Sequence, residues 1–282
     1  MLRGFAARDD EAMSLAETAY AKINLALHVR RRREDGYHEL ETLFAFVDDG
    51  DRLSASPAAR DVLNVKGEFA GALDDPFGNI VARALNAFAH VPGWSVILDK
   101  RLPVAAGLGG GSADAGAVIR MIGRWGKLPD DWRARAARLG ADVPACVASR
   151  TAIGRGTGTE LEDGPDDLAG TPVLLVNPRV PLETGPVFKA WDGADRGPMP
   201  EGTARAIALG GRNDLEAPAV ALCPAIADVL AALRGTDPWL ARMSGSGATC
   251  FALFDDSARR DAAAERIAMD RPEWWRMAGS LR

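Results

Sequence analysis

Between Tyr20 and Val29, the apolar residues Ile23, Leu25, Leu27 and Val29 alternate with Lys22, Asn24, Ala26 and His28. A period of two predicts a half-buried strand that carries Lys22 and Asn24 on one face. The arginines Arg30, Arg31, Arg32 and Arg33 and the turn Glu34-Asp35-Gly36 follow, and residues 37–47 return as a second strand-like run, so a hairpin is expected. Shorter strand candidates lie around residues 51–56 and 62–65. Val81, Ala84, Leu85 and Phe88 recur at helical spacing and predict an amphipathic helix. Trp94, Val96 and Leu98 alternate as a strand. A glycine-rich loop comes next and opens into an alanine-rich helix with Ala115, Val118, Ile119 and Ile122 on one stripe. A further helix over about residues 130–139 is expected to stop at Gly140 in a left-handed C-cap.

The second half begins with a strand over residues 173–176 and a helix carrying Ile226, Val229, Leu230 and Leu233, closed by Gly235. After a second glycine cluster (Ser244-Gly245-Ser246-Gly247) come a strand over residues 249–254 and a last helix with Ser257 as its N-cap. Residues 163–170 are rich in Asp, Gly and Pro and mark the expected boundary between a first domain (18–168) and a second (169–282). Residues 1–17 read as a disordered extension, with Met13 as an alternative start. Strands and helices mix without strict alternation, which predicts an α+β protein rather than a doubly wound sheet.

Composition narrows the function. A chain of 282 residues with 47% hydrophobic and 26% charged residues is ordinary for a globular protein. Its net charge of −5 argues against nucleic-acid binding, so an anionic ligand needs a local site. Cys146, Cys223 and Cys250 are odd in number and far apart, which suits a reducing cytoplasm. No apolar run is long enough for a membrane span, and the N-terminal residues lack the apolar core of a signal peptide.

Gly107, Gly109, Gly110 and Gly111 lead into Ser112 at the mouth of a helix. Glycines let backbone approach an oxyanion, and a helix N-terminus offers free N–H groups and a positive dipole end. A plain flexible turn is the competing explanation. The loop is not a Walker motif, because no lysine follows Gly111. Nor is it a dinucleotide fingerprint, because seven residues from Lys100 to Ala106 separate it from the preceding strand.

The stretch Pro103-Val104-Ala105-Ala106-Gly107-Leu108-Gly109-Gly110-Gly111-Ser112-Ala113 resembles the central motif of the GHMP kinases. Three further stretches are similar to that family in the same order: Lys22-Ile23-Asn24 with Gly36-Tyr37-His38, Gly140-Ala141-Asp142-Val143-Pro144, and Ser244-Gly245-Ser246-Gly247. The resemblance covers about residues 19–254. It implies a two-domain α+β fold, with an N-terminal domain like a ribosomal-protein domain and a ferredoxin-like C-terminal one. It also implies ATP as phosphoryl donor, held by residues 103 to 113, and Mg²⁺ placed in part by Ser112. Through Tyr37-His38 it points to the branch that phosphorylates the 2-hydroxyl of a cytidine diphosphate-linked sugar alcohol on the non-mevalonate route to isoprenoids.

By the same resemblance, Asp142 is the general base and Lys22 its electrostatic partner. Asn24, Tyr37, His38 and Phe188 would hold the cytidine substrate, Tyr37 and Phe188 by stacking and His38 by reading the base edge. Asn213 and Asp214 resemble an element near the substrate. Plainer alternatives exist: Asp142 suits the N-cap of a helix begun by Pro144, and the four arginines suit a solvated hairpin tip as well as a contact with a diphosphate, which nothing in the sequence places there. Ala113 departs from relatives that carry a second serine, and no carboxylate is evident to complete a metal site. Two rivals remain, a GHMP kinase for another alcohol such as mevalonate or homoserine, and a non-catalytic RNA-binding module. The assembly is expected to be a monomer or a homodimer.

Overall fold

The computed structural model describes residues 14–73, 79–88, 90 and 92–282. Strands β1 (Leu15–Arg32) and β2 (His38–Ala58) form the predicted hairpin, antiparallel from Leu15↔Ala55 to Arg32↔His38. The runs expected at 37–47 and 51–56 are one strand. The acidic interval between them reads as a break, but the Asp51 carboxylate is buried and bonded to Lys100, so the strand continues. Of the expected extension over residues 1–17, residues 1–13 lie outside the described residues, whereas Leu15, Ala16 and Glu17 pair with β2 and belong to β1.

The far edge of β2 is shared. Its second half pairs with β4 (Gly93–Asp99) and its first with β5 (Ala152–Gly156). Strand β3 (Val62–Lys66) adds parallel to β4, and β6 (Glu160–Asp163) adds antiparallel to β5. Against this sheet pack α1 (Ile80–Ala87), α2 (Gly110–Trp125), α3 (Trp132–Leu139) and α4 (Val143–Ala148). The stripe predicted on α2 is buried, Ala115, Val118, Ile119 and Ile122 all lying in one core with Phe44, Phe46 and Trp94. Helix α3 does end at Gly140, but with φ 174° that residue is extended rather than left-handed.

A second sheet has the order β10–β7–β9–β8, from β7 (Pro172–Asn177), β8 (Leu240–Met243), β9 (Cys250–Leu253) and β10 (Trp275–Ser280), all antiparallel. Between β7 and β8 run α5 (Thr184–Lys189), α6 (Ala204–Gly210), α7 (Glu216–Leu222) and α8 (Ala225–Arg234). Helix α9 (Ser257–Asp270) precedes β10, and its N-cap is Asp256, which accepts from Arg259 N; Ser257 is already helical. With α8 and α9 as the connecting helices, the succession β–α–β–β–α–β is the ferredoxin-like pattern.

The sheets meet through β1. Ala21, Ile23 and Leu25 join a core with Val173, Leu175, Phe251 and Trp275 of the second sheet. The alternate residues Lys22, Asn24 and His28 are also buried, at 4%, 2% and 0% exposure. The strand is therefore buried on both faces rather than half-buried. Polar residues inside it must find partners there.

Candidate active site

One cleft of about 890 Å³ reaches from the start of α2 to the β1–β2 turn and α5. Lys22, Asn24 and Asp142 line it, with Ala105, Ala106, Gly107, Gly109, Gly110, Gly111 and Ser112 of the glycine loop. Tyr37, His38 and Phe188 line it as well. Five stretches far apart in sequence therefore converge on one space. Pro103, Val104, Leu108 and Ala113 support the loop from outside that lining, with Leu108 and Ala113 anchored in the cores.

The loop is shaped by backbone. Gly109 is the N-cap of α2 at φ 61° and has no side chain to occupy the first N–H groups, which leaves them free for an anion. Gly107, at φ 77°, touches the second glycine cluster so closely that a Cβ would sit 2.2 Å from the Ser244 carbonyl oxygen. Ser244 Oγ donates to the Gly107 carbonyl at 2.8 Å, and Thr249 N to the Ala106 carbonyl at 3.1 Å. The two glycine motifs thus interlock.

Lys22 and Asp142 meet beside Gly109, with Nζ 3.1 Å from Asp142 Oδ2. Asp142 occupies the N-cap position of α4, yet its side chain makes no capping bond. A carboxylate that turns from the available helix N–H groups towards a buried ammonium is placed for something other than capping. Lys22 Nζ also donates to Asn24 Oδ1 at 2.9 Å, and Asn24 Nδ2 donates to Thr42 Oγ1 at 2.8 Å. Asn24 therefore bridges Lys22 and Thr42 while itself lining the cleft.

At the other end, Tyr37 is 65% exposed and held by a tight turn in which Asp35 accepts from Tyr37 N and from the Arg33 guanidinium. The buried His38 ring lies 5.0 Å from that of Phe188 and edge-on to Trp191 at 5.7 Å. Burial, and then the Arg32 charge, hold the His38 pKa below its ordinary value, so the ring is neutral at pH 7.

Asn213 and Asp214 do not line the cleft. Asn213 donates to the carbonyls of Met243 and Gly245, and Asp214 accepts from Val29 N and Arg212 Nε. They brace the second glycine cluster and β1. Sequence reasoning missed a buried cluster under the loop, where Lys100 Nζ lies 2.5 Å from Asp51 and 2.8 Å from Asp114. Burial opposes the ammonium, but Asp114 and Asp51 outweigh it and raise the Lys100 pKa; burial pushes the Asp114 carboxyl up to about 8. Lys100 Nζ is 3.1 Å from where a Gly110 Cβ would stand, so the cluster supports the first turn of α2 from beneath. Only the position of Lys100 at a strand end just before the loop hinted at it. Thr42 gave no signal.

Two sheets, interlocking glycine loops and a lysine–aspartate pair at a helix N-terminus define a GHMP kinase. Residues 79–150 match the GHMP kinases N terminal domain, and residues 200–269 the GHMP kinases C terminal domain. The chain belongs to the family of 4-diphosphocytidyl-2-C-methyl-D-erythritol kinases. It is 71% identical to the enzyme of that name from Novosphingobium aromaticivorans, over 96% of this chain and 94% of the other. It is 65% identical to the one from Erythrobacter litoralis, over 95% and 99%. A crystal structure of 4-(cytidine 5'-diphospho)-2C-methyl-D-erythritol kinase superimposes with a TM-score of 0.79 at 35% identity, covering 95% of this chain and 99% of that one. Homoserine kinase from Cytophaga hutchinsonii shares the fold at TM-score 0.67 and 15% identity, covering 99% and 98%.

Proposed function

We propose that the chain transfers the γ-phosphoryl group of ATP to the 2-hydroxyl of 4-diphosphocytidyl-2-C-methyl-D-erythritol, giving the 2-phosphate and ADP for isoprenoid precursor synthesis. The observation that carries this reading is the single cleft that joins a phosphate-type helix N-terminus to an aromatic base site, with Lys22 and Asp142 beside the former. The N–H groups of Gly110, Gly111 and Ser112 hold the ATP phosphates. Asp142 takes the proton of the 2-hydroxyl as its oxygen attacks the γ-phosphorus. Lys22 orients that carboxylate and offsets the charge that builds up in the transition state.

Asn24, which lines the cleft, fixes the Lys22 ammonium beside the substrate. Tyr37 and Phe188 take the two faces of cytosine, and His38 reads its edge, which excludes alcohols that lack the base. Little covalent chemistry is asked of the protein, so positioning dominates.

Mg²⁺ fits the residues present. It favours a few protein oxygens with phosphates and water, and the cleft offers the Ser112 hydroxyl, Asp142 being engaged with Lys22. No group of three or more His, Cys, Asp or Glu side chains able to hold a metal exists among the described residues, so Ser112 would contribute to an ion carried mainly by phosphates. The ion supplies neutralisation of the β- and γ-phosphate charge.

The thiols of Cys146, Cys223 and Cys250 are free and buried, which suits a reducing cytoplasm. No helix among the described residues is long and apolar enough to cross a membrane. A competition assay tests the substrate: ADP should be released with the cytidyl alcohol and not with mevalonate or homoserine. The reverse preference would end this reading.

A further inference from the structure

Four successive arginines close the β1–β2 hairpin, and three have carboxylate partners. Arg30 pairs with Asp195 at 3.0 Å and Glu41 at 3.3 Å, Arg31 with Glu39 at 2.8 Å, and Arg33 with Asp35 at 3.0 Å. Arg32 has no carboxylate partner among the described residues. It lines the cleft; its Nε lies 3.4 Å from His38 Nε2, and its Nη2 donates to the Lys189 carbonyl at 3.4 Å. Lys189 lines the cleft too, and its ammonium is likewise without an ion pair.

Charge around the cleft is therefore uneven. Its single lining carboxylate, Asp142, is paired with Lys22. The aromatic end keeps two uncompensated cations in a chain whose net charge is −5. Exposed to water, two such charges cost little, but a ligand that fills the cleft displaces that water and strengthens every charge interaction there. A guanidinium presents a planar fork matched to phosphate oxygens, and an ammonium complements it as a point charge. Both groups border the aromatic residues, Arg32 against His38 and Lys189 directly after Phe188 in the chain.

We propose that Arg32 and Lys189 form a diphosphate clamp for the acceptor, a role distinct from base recognition by Tyr37, His38 and Phe188. The clamp rests on the cytidine reading above. It makes CDP, rather than cytidine, the minimal tightly bound fragment. Arg31 and Arg33, neutralised outside the cleft, serve the hairpin.

Inhibition constants of cytidine and of CDP, competing with the cytidyl alcohol at saturating ATP, test it. The unmodified enzyme should bind CDP more tightly than cytidine. Arg32→Gln and Lys189→Gln should each reduce that preference about tenfold, leaving the cytidine constant and the melting temperature unchanged. A preference that survives in the double variant overturns the clamp. So does a loss in Arg32→Gln that is equal for the two inhibitors, which would make Arg32 only a support for His38. If neither compound inhibits the unmodified enzyme, the cytidine reading itself falls and the clamp falls with it.

Discussion

The two ends of the cleft are built differently. At the start of α2 the groups offered to a ligand are backbone N–H groups, fixed by interlocked glycine loops and supported by the buried Lys100–Asp51–Asp114 cluster. At the hairpin end they are side chains: an exposed Tyr37, a half-buried Phe188 and two cations, Arg32 and Lys189, without a carboxylate partner among the described residues. The glycine-loop end is thus tied into the cores and the second glycine cluster, whereas the hairpin end rests on side chains that are exposed or only half-buried. Lys22 and Asp142 stand beside the rigid end, where the phosphoryl group would arrive.

The difference can be broken in order of effect. Asp142→Asn should lower turnover by about 10²–10⁴ while ATP binding, read by calorimetry, persists. Near-normal turnover would reduce Asp142 to a partner for Lys22. Lys100→Met strands two buried carboxylates and should cost about 3–5 kcal/mol in denaturant unfolding. An unchanged unfolding midpoint would show that the cluster does not hold the loop.

Tyr37→Ala should raise KM for the cytidyl alcohol about 10- to 100-fold, with KM for ATP unchanged. An equal rise for ATP would mean that the ends are not separable. The smallest effect is in pH. Because burial and Arg32 hold His38 below its ordinary value of 6.5, more than half of it is neutral at that pH, and an inflection in KM for the cytidyl alcohol should fall below 6.5. An inflection at or above 6.5 would mean that His38 is protonated in the range where it is meant to read the base.

The glycine loop and α2 were legible in sequence because their parts are consecutive: the glycines, Ser112 and the α2 stripe lie within one stretch whose local conformation is set by glycine and helical periodicity. The β1–β2 hairpin was legible by alternation, although its burial on both faces was not, since that depends on a second sheet far along the chain. Strands β5, β6, β8 and β10 and helices α5, α6 and α7 are short, and their burial comes from tertiary packing rather than from a repeating pattern. Asp142 illustrates the limit. The residues alone suited it to an N-cap, the family resemblance made it a base partnered by Lys22, and the fold of β1 against α4 puts the two side chains 3.1 Å apart. Asn213 and Asp214 have their side chains engaged inside the protein, with the Met243 and Gly245 carbonyls and with Val29 N, an arrangement that depends on distant segments and left no local signal.

The most direct measurement is ³¹P NMR of the protein with ATP, Mg²⁺ and 4-diphosphocytidyl-2-C-methyl-D-erythritol. A new phosphomonoester resonance should grow in step with ADP while the cytidyl diphosphate signals persist. ADP with free inorganic phosphate and no phosphomonoester would contradict transfer to the 2-hydroxyl.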